Sequence, residues 1–113
     1  MQKLRYLLGL ILLMQLHGPV SAGPPENAVW IDVRSTVEYQ LGHLEGAVHI
    51  PHDEIVQTTK QLGIQQDQPI YLYCMSGGRA GKAKSALEAA GFSQVINVGG
   101  LEDARNLANQ TPE

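Results

Sequence analysis

The chain has 113 residues, of which 43% are hydrophobic and 17% are charged, and its formal net charge is −3 at pH 7. This length provides for one modest hydrophobic core and excludes two large domains. The acidic balance argues against nucleic acid or an anionic membrane surface as a partner. The single cysteine, Cys74, excludes a disulfide within the chain.

The first residues are typical of an export signal. Lys3 and Arg5 give a basic start, residues 6–16 form an apolar run, and small residues lie just before position 23. Since eleven helical residues span only about half of a bilayer core of about 30 Å, a membrane anchor is disfavoured. We therefore expect a signal peptide over residues 1–22, a periplasmic location, and no stable membrane association after cleavage. Six basic and eleven acidic residues would then remain, a net charge of −5.

After residue 22, short apolar runs alternate with helical patterns. Residues 23–27 contain two prolines and predict a flexible lead, and residues 28–113 predict a single domain. Strands are predicted over 28–33, 47–50, 70–74 and 95–98, and helices after a capping box at Ser35 and over 53–62, 80–90 and 101–108. This alternation predicts an α/β fold with a mainly parallel sheet, whose functional residues lie at the carboxyl ends of strands.

The loop after the third predicted strand carries the cysteine and an arginine. It consists of Cys74, Met75, Ser76, Gly77, Gly78 and Arg79. The glycines allow several N–H groups to converge on one point, and the following helix start adds positive partial charge there. Both effects favour a thiolate, so Cys74 is predicted to be a nucleophile rather than an inert core thiol. Arg79 is predicted to hold an anionic substrate, the alternative being a solvated arginine in the first helical turn.

With these residues the chain resembles the rhodanese family. The loop from Cys74 to Arg79 fits the family's active-site pattern Cys-x-x-Gly-x-Arg. The family's amino-terminal signature is matched by Asp32, Arg34, Glu38, Gly42 and His43. The resemblance extends over about residues 30–103, and together with the export signal it points to the periplasmic single-domain members of the family. Ala104 departs from the pattern, because many members carry tryptophan there.

The resemblance implies a three-layer fold with four to five mainly parallel strands flanked by helices. It also implies thiosulfate sulfurtransferase activity, in which Cys74 takes the outer sulfur of a small anionic donor such as thiosulfate. The persulfide would then pass its sulfur to a thiol or to cyanide. Residues 75–79 would bind the substrate, whereas Asp32 and Arg34 would brace a strand end. No cofactor is implied, and a monomer is expected.

Three alternative interpretations compete with this one. A metal site at His43, His49 and His52 is disfavoured, because their spacing fits no standard ligand pattern. A cysteine phosphatase or arsenate reductase places five residues between its cysteine and arginine, whereas this loop has four. A non-catalytic rhodanese-fold binding or sensing module typically lacks the cysteine that this chain retains. We therefore predict an enzyme.

Overall fold

The computed structural model describes residues 23–110 of the chain. The predicted signal peptide over residues 1–22 lies outside this part. Within the predicted lead over residues 23–27, Pro24 is buried and the carbonyl of Pro25 accepts the N–H of Ala28 at 3.1 Å. Between residues 23 and 110, no helix is both long and apolar enough to cross a membrane.

Strands and helices alternate along the described chain, which confirms the predicted α/β class. The elements are β1 (Val29–Asp32), α1 (Thr36–Leu41), β2 (Val48–His49), α2 (Ile55–Gln61), β3 (Ile70–Cys74), α3 (Gly78–Ala89), β4 (Val95–Gly100) and α4 (Leu101–Ala108). A short 3₁₀ turn over His52–Glu54 precedes α2. The predicted capping box at the start of α1 is present, since the Ser35 side chain accepts the N–H of Glu38 at 3.3 Å.

The four strands form one sheet in the order β2-β1-β3-β4, and every neighbouring pair is parallel. The carboxyl ends of β1, β3 and β4 therefore meet at one edge, where Asp32 lies opposite Tyr73 and Cys74 lies opposite Gly100. The β3–β4 register shifts at Val98, because Leu72 pairs with Asn97 and Tyr73 pairs with Gly99. This irregularity lies directly beside the cysteine.

Successive side chains along each strand point to opposite faces of the sheet, and the sheet separates two apolar clusters. On one face, residues of β3 such as Leu72 and Cys74 pack with Ala83 and Leu87 of α3. On the other face, Tyr73 packs with a set from the remaining elements, namely Leu44, Ala47 and Ala104. The sheet is thus the middle of three layers. Ala104, the position that departs from the family pattern, is fully buried in the second cluster.

Candidate active site

Cys74 lies where β3 ends, in a loop that closes around its sulfur. The cysteine is 1% exposed, and the N–H of Gly77 donates to Sγ at 2.9 Å. Gly77 caps α3 with φ +104°, a conformation that side chains rarely adopt, and Gly78 is the first helical residue. The strand, loop and helix therefore place the sulfur at the helix amino terminus, as the sequence predicted.

Two opposing effects set the pKa of the Cys74 thiol. Burial raises this pKa, because a charged sulfur loses its hydration. Hydrogen bonds from backbone N–H groups lower it more strongly, and the donors are Ala80, Gly77, Ser76 and Arg79. The net shift is downward, so the site favours the thiolate, the nucleophilic form of cysteine. The largest lowering effects come from main-chain donors, and the positive charge of Arg79 also interacts with Cys74.

The loop rests on the end of β4. Gly100 approaches the carbonyl of Met75 so closely that a Cβ atom at this position would collide with the carbonyl oxygen. Three residues earlier along β4, the side-chain amide of Asn97 donates to the carbonyl of Gly77 at 2.9 Å. The sequence did not predict a role for Asn97. Its only sequence signal was its position two residues before the Gly99-Gly100 pair.

Arg79 is held by Glu38 of α1 in a two-point ion pair. Nη1 donates to Oε1 at 2.6 Å and Nη2 donates to Oε2 at 2.9 Å. The hydrogen bonds from Arg79, together with weaker effects from Ser35, lower the pKa of Glu38 to about 2, although partial burial opposes the shift. The anion beside this helix-start cation is therefore a side chain of the protein. Both side chains remain partly accessible, with exposed fractions of 32% for Arg79 and 25% for Glu38.

Asp32 and Arg34 form a buried pair at the end of β1. Nη2 of Arg34 lies 2.7 Å from Oδ2 of Asp32 and also donates to the carbonyl of Gly42 at 2.7 Å. Burial raises the pKa of Asp32, but hydrogen bonds from Arg34 outweigh this effect and the net shift is downward. The Arg34 guanidinium also lies 5.6 Å from the centre of the Tyr73 ring. The pair therefore connects the end of β1 to Gly42, the residue that follows α1.

The remaining signature residue, His43, lies outside the cysteine loop. Its ring stacks on Tyr39 with centroids 3.6 Å apart, and its Nδ1 donates to the Tyr39 carbonyl at 2.8 Å. His49 stacks on the same tyrosine at 4.7 Å. Within residues 23–110, no group of three or more His, Cys, Asp or Glu side chains is arranged to hold a metal ion.

A cleft of about 250 Å³ opens beside the loop. Met75, which is exposed, is the loop residue in its wall. The apolar part of the lining also includes Leu41 and Leu101, and the charged part comprises Arg34, Glu38 and Arg105. Ser76 and Gly78 of the loop are also exposed. The cleft beside the loop is therefore of mixed polarity, and Met75 is the one residue of the loop over residues 74–79 that lines it.

Comparisons with known proteins agree on the family. The model of the rhodanese-like domain family matches residues 16–106. Thiosulfate sulfurtransferase PspE of Escherichia coli (strain K12) is 36% identical over 74 residues, which make up 66% of this chain and 71% of that protein. A solved structure of a rhodanese with anions from E. coli has a TM-score of 0.62 at 35% identity and covers 67% of this chain and 89% of that chain.

A longer relative gives a different name. The tRNA uridine(34) hydroxylase of Enterobacter sp. (strain 638) is 33% identical over 90 residues, or 74% of this chain, but this chain spans only 26% of that protein. The shared part is therefore a minor portion of the hydroxylase. On the family match and the relative of similar length, this chain belongs to the rhodanese-like family, which supports a function of the sulfurtransferase type.

Proposed function

We propose that the protein is a thiosulfate sulfurtransferase in which Cys74 carries the transferred sulfur as a persulfide. The observation that carries this proposal is the ring of backbone N–H groups around Sγ, with that of Gly77 at 2.9 Å. Such a ring stabilises a thiolate before the reaction. It would also stabilise the negative charge of a persulfide sulfur afterwards.

The proposed reaction has two steps. The Cys74 thiolate attacks the outer sulfur of thiosulfate, a Cys–S–S bond forms, and the donor's S–S bond breaks with sulfite leaving with the electron pair. A thiol or cyanide then attacks the outer persulfide sulfur, which releases the thiolate again. The electrons balance without an added oxidant or reductant. A covalent intermediate of this kind gives ping-pong kinetics.

Arg79 is the proposed holder of the anionic donor. Its guanidinium has five N–H donors, and the ion pair with Glu38 uses one on each of Nη1 and Nη2. Because its side chain is 32% exposed, the remaining donors can meet a sulfonate-like oxygen. Met75, Ser76, Gly77 and Gly78 would complete the substrate-binding loop. Asp32, Arg34, Gly42 and His43 would serve the fold, with Glu38 positioning Arg79.

We also infer that the chain is exported to the periplasm and that residues 1–22 are removed. The basic start, the short apolar run and the small residues before position 23 support this inference. The mature protein would be one rhodanese domain over residues 28–113, would act as a monomer, and would need no cofactor.

The proposal is tested by intact mass measurement of the purified protein after exposure to thiosulfate. We expect the parent to gain one sulfur, and we expect cyanide to remove it with formation of thiocyanate. Cys74→Ser should gain none and should keep the parental fold by circular dichroism, because the hydroxyl is nearly isosteric but cannot hold a persulfide.

Two outcomes would contradict the proposal. A parent that gains no sulfur and produces no thiocyanate would favour the non-catalytic binding module. Hydrolysis of an aryl phosphate by the parent that disappears in Cys74→Ser would favour the cysteine phosphatase instead.

A further inference from the structure

The side chain of Asn97 links β4 to the loop around the sulfur. Its Nδ2 donates to the carbonyl of Gly77 at 2.9 Å, and its Oδ1 accepts the N–H of Gly99 at 3.0 Å. The same Gly77 carbonyl accepts the N–H of Gly81 at 2.8 Å, which is the first hydrogen bond of α3. Asn97 therefore binds the residue at which the loop becomes the helix.

The two partners determine which way the amide of Asn97 points. The carbonyl of Gly77 only accepts and the N–H of Gly99 only donates, so the NH₂ group must face Gly77 and the oxygen must face Gly99. Aspartate has no donor to offer Gly77 and would place a carboxylate oxygen against its carbonyl. Alanine would remove both of these side-chain hydrogen bonds, the one to the Gly77 carbonyl and the one from the Gly99 N–H.

The backbone of β4 brings Asn97 to this position. Asn97 pairs with Leu72 in the sheet, and the next pair joins Gly99 to Tyr73, so Val98 is an extra residue on β4. Gly77 packs against this irregular stretch of β4, because a Cβ atom at Gly77 would lie 3.5 Å from Cα of Gly99 and 3.6 Å from Oδ1 of Asn97. The irregularity in β4 thus forms a floor under the loop.

We propose that Asn97 is a positioning residue for the sulfur-transfer site: it holds the Gly77 peptide so that the loop N–H groups point at Sγ of Cys74. The Gly77 N–H lies 2.9 Å from Sγ, on the same residue whose carbonyl Asn97 binds. A shift of Gly77 would move this donor and those of the first α3 turn together. The role of Asn97 in sulfur transfer rests on the proposed function. Its effect on the Cys74 thiol does not, and this effect is what the experiment measures.

The charged groups around the loop come from three elements and one strand end. They are Arg79 on α3, Glu38 on α1, Asp103 of α4, which lies beside Gly99, and the buried pair formed by Asp32 at the end of β1 and Arg34. None of them is changed by a substitution at Asn97. A difference in thiol reactivity between the parent and a neutral Asn97 variant therefore reports on the loop.

The test is the pH dependence of the alkylation rate of Cys74 by iodoacetamide in the full chain, compared for the parent, Asn97→Ala and Asn97→Asp. Because only the thiolate reacts, a rise of one unit in its pKa lowers the rate about tenfold below that pKa. We expect a loss of about this size, roughly tenfold, in Asn97→Asp and a smaller loss in Asn97→Ala. Asn106→Asp, which adds the same charge on the exposed side of α4, should keep the parental profile.

Unchanged pH profiles in both Asn97 variants would overturn the inference, even if their melting temperatures fell, because Asn97 would then serve stability alone. A loss as large in Asn106→Asp as in Asn97→Asp would also overturn it, since added charge would explain the effect. If Asn97→Asp fails to fold, Asn97→Ala decides the question by itself. Alkylation needs no sulfur donor, so a parent that forms no persulfide counts against the proposed function and leaves this comparison intact.

Discussion

Cys74 shows how a main chain can activate a thiol without a side-chain base. Burial by itself would raise the pKa of this thiol, and the loop opposes that effect with four N–H donors. Backbone donors are fixed by the fold and need no reorganisation when charge develops on the sulfur. The pKa of this thiol therefore depends on the shape of the loop more than on the identity of most of its side chains.

Arg79 illustrates what residue types alone do not reveal. The sequence predicted that Arg79 holds an anionic substrate, and the structure shows that its guanidinium also binds the Glu38 carboxylate, which is 41 residues away along the chain. Ser35 in turn holds Glu38, since its N–H donates to Oε1 at 3.1 Å. The capping box of α1 thus orients a carboxylate that orients the loop arginine.

The Glu38–Arg79 pair should make stability depend on pH in the acidic range. The pKa of Glu38 is lowered from 4.5 to about 2, so its contribution to stability is complete above pH 4.5 and is lost as the pH falls through about 2. Glu38→Gln keeps a capping group but removes the charge. We expect it to lower the free energy of unfolding by about 1 kcal/mol at pH 7. Between pH 5 and pH 2, denaturant unfolding should show a shallower loss of stability in Glu38→Gln than in the parent.

Glu45→Gln is the matched control for this measurement, because Glu45 is exposed and lies outside the loop. Its stability should follow the parent at every pH. Parallel stability curves for the parent and Glu38→Gln would show that the ion pair contributes nothing to folding.

At the scale of elements, the sequence predicted the order of strands and helices but not their ends near the site. The helix predicted from residue 80 begins at Gly78, because Gly77 adopts positive φ and ends the loop early. The strand predicted to end at 98 continues to Gly100 past an irregular pairing. The pattern of apolar residues along the sequence carries no information on the register between strands. For this reason the contact of Asn97 with Gly77, across 20 residues of chain, could not be predicted.

The two neighbouring glycines of the loop should respond differently to alanine. Gly77 has φ +104°, but a Cβ atom added there would make only ordinary contacts, so its conformation, not a lack of space, excludes a side chain. Gly78 is helical, and a Cβ atom there would meet nothing within 4 Å. We expect Gly77→Ala to lower the free energy of unfolding by about 1–3 kcal/mol. Gly78→Ala should leave it unchanged or raise it by up to about 1 kcal/mol.

The same pair tests the loop's chemical role. Because the Gly77 N–H donates to Sγ, Gly77→Ala should also slow persulfide formation from thiosulfate, and it should do so more strongly than Gly78→Ala. Chemical denaturation and stopped-flow assays would measure the two effects. Equal rates in Gly77→Ala and Gly78→Ala would mean that the geometry of this donor does not control the reaction.

At the scale of the whole molecule, the parallel sheet explains why distant segments meet. Asp32, Cys74 and Gly100 end three adjacent strands and therefore lie along one edge. Because successive side chains of β3 point to opposite faces of the sheet, Cys74 lies in one apolar cluster and Tyr73 lies in the other. Burial raises the pKa of the Tyr73 phenol to about 12, and its hydroxyl oxygen accepts the N–H of Leu44 at 3.0 Å. Both cores thus reach the edge that carries the sulfur.

The predicted export of the chain can be tested on the same whole-molecule scale. The first strand begins at Val29, so cleavage after Ala22 would leave six residues before the sheet and would remove none of the described packing. We expect the full chain, expressed in a bacterium, to yield a periplasmic protein that begins at Gly23, as read by intact mass and amino-terminal sequencing. Since the cleavage site requires a small residue, Ala22→Leu should retain residues 1–22 and stay with the membrane fraction. Ala89→Leu, an exposed substitution on α3, should be processed like the parent. A parent recovered from the cytoplasm at its full mass, or an Ala22→Leu variant cleaved after residue 22, would contradict the predicted signal peptide.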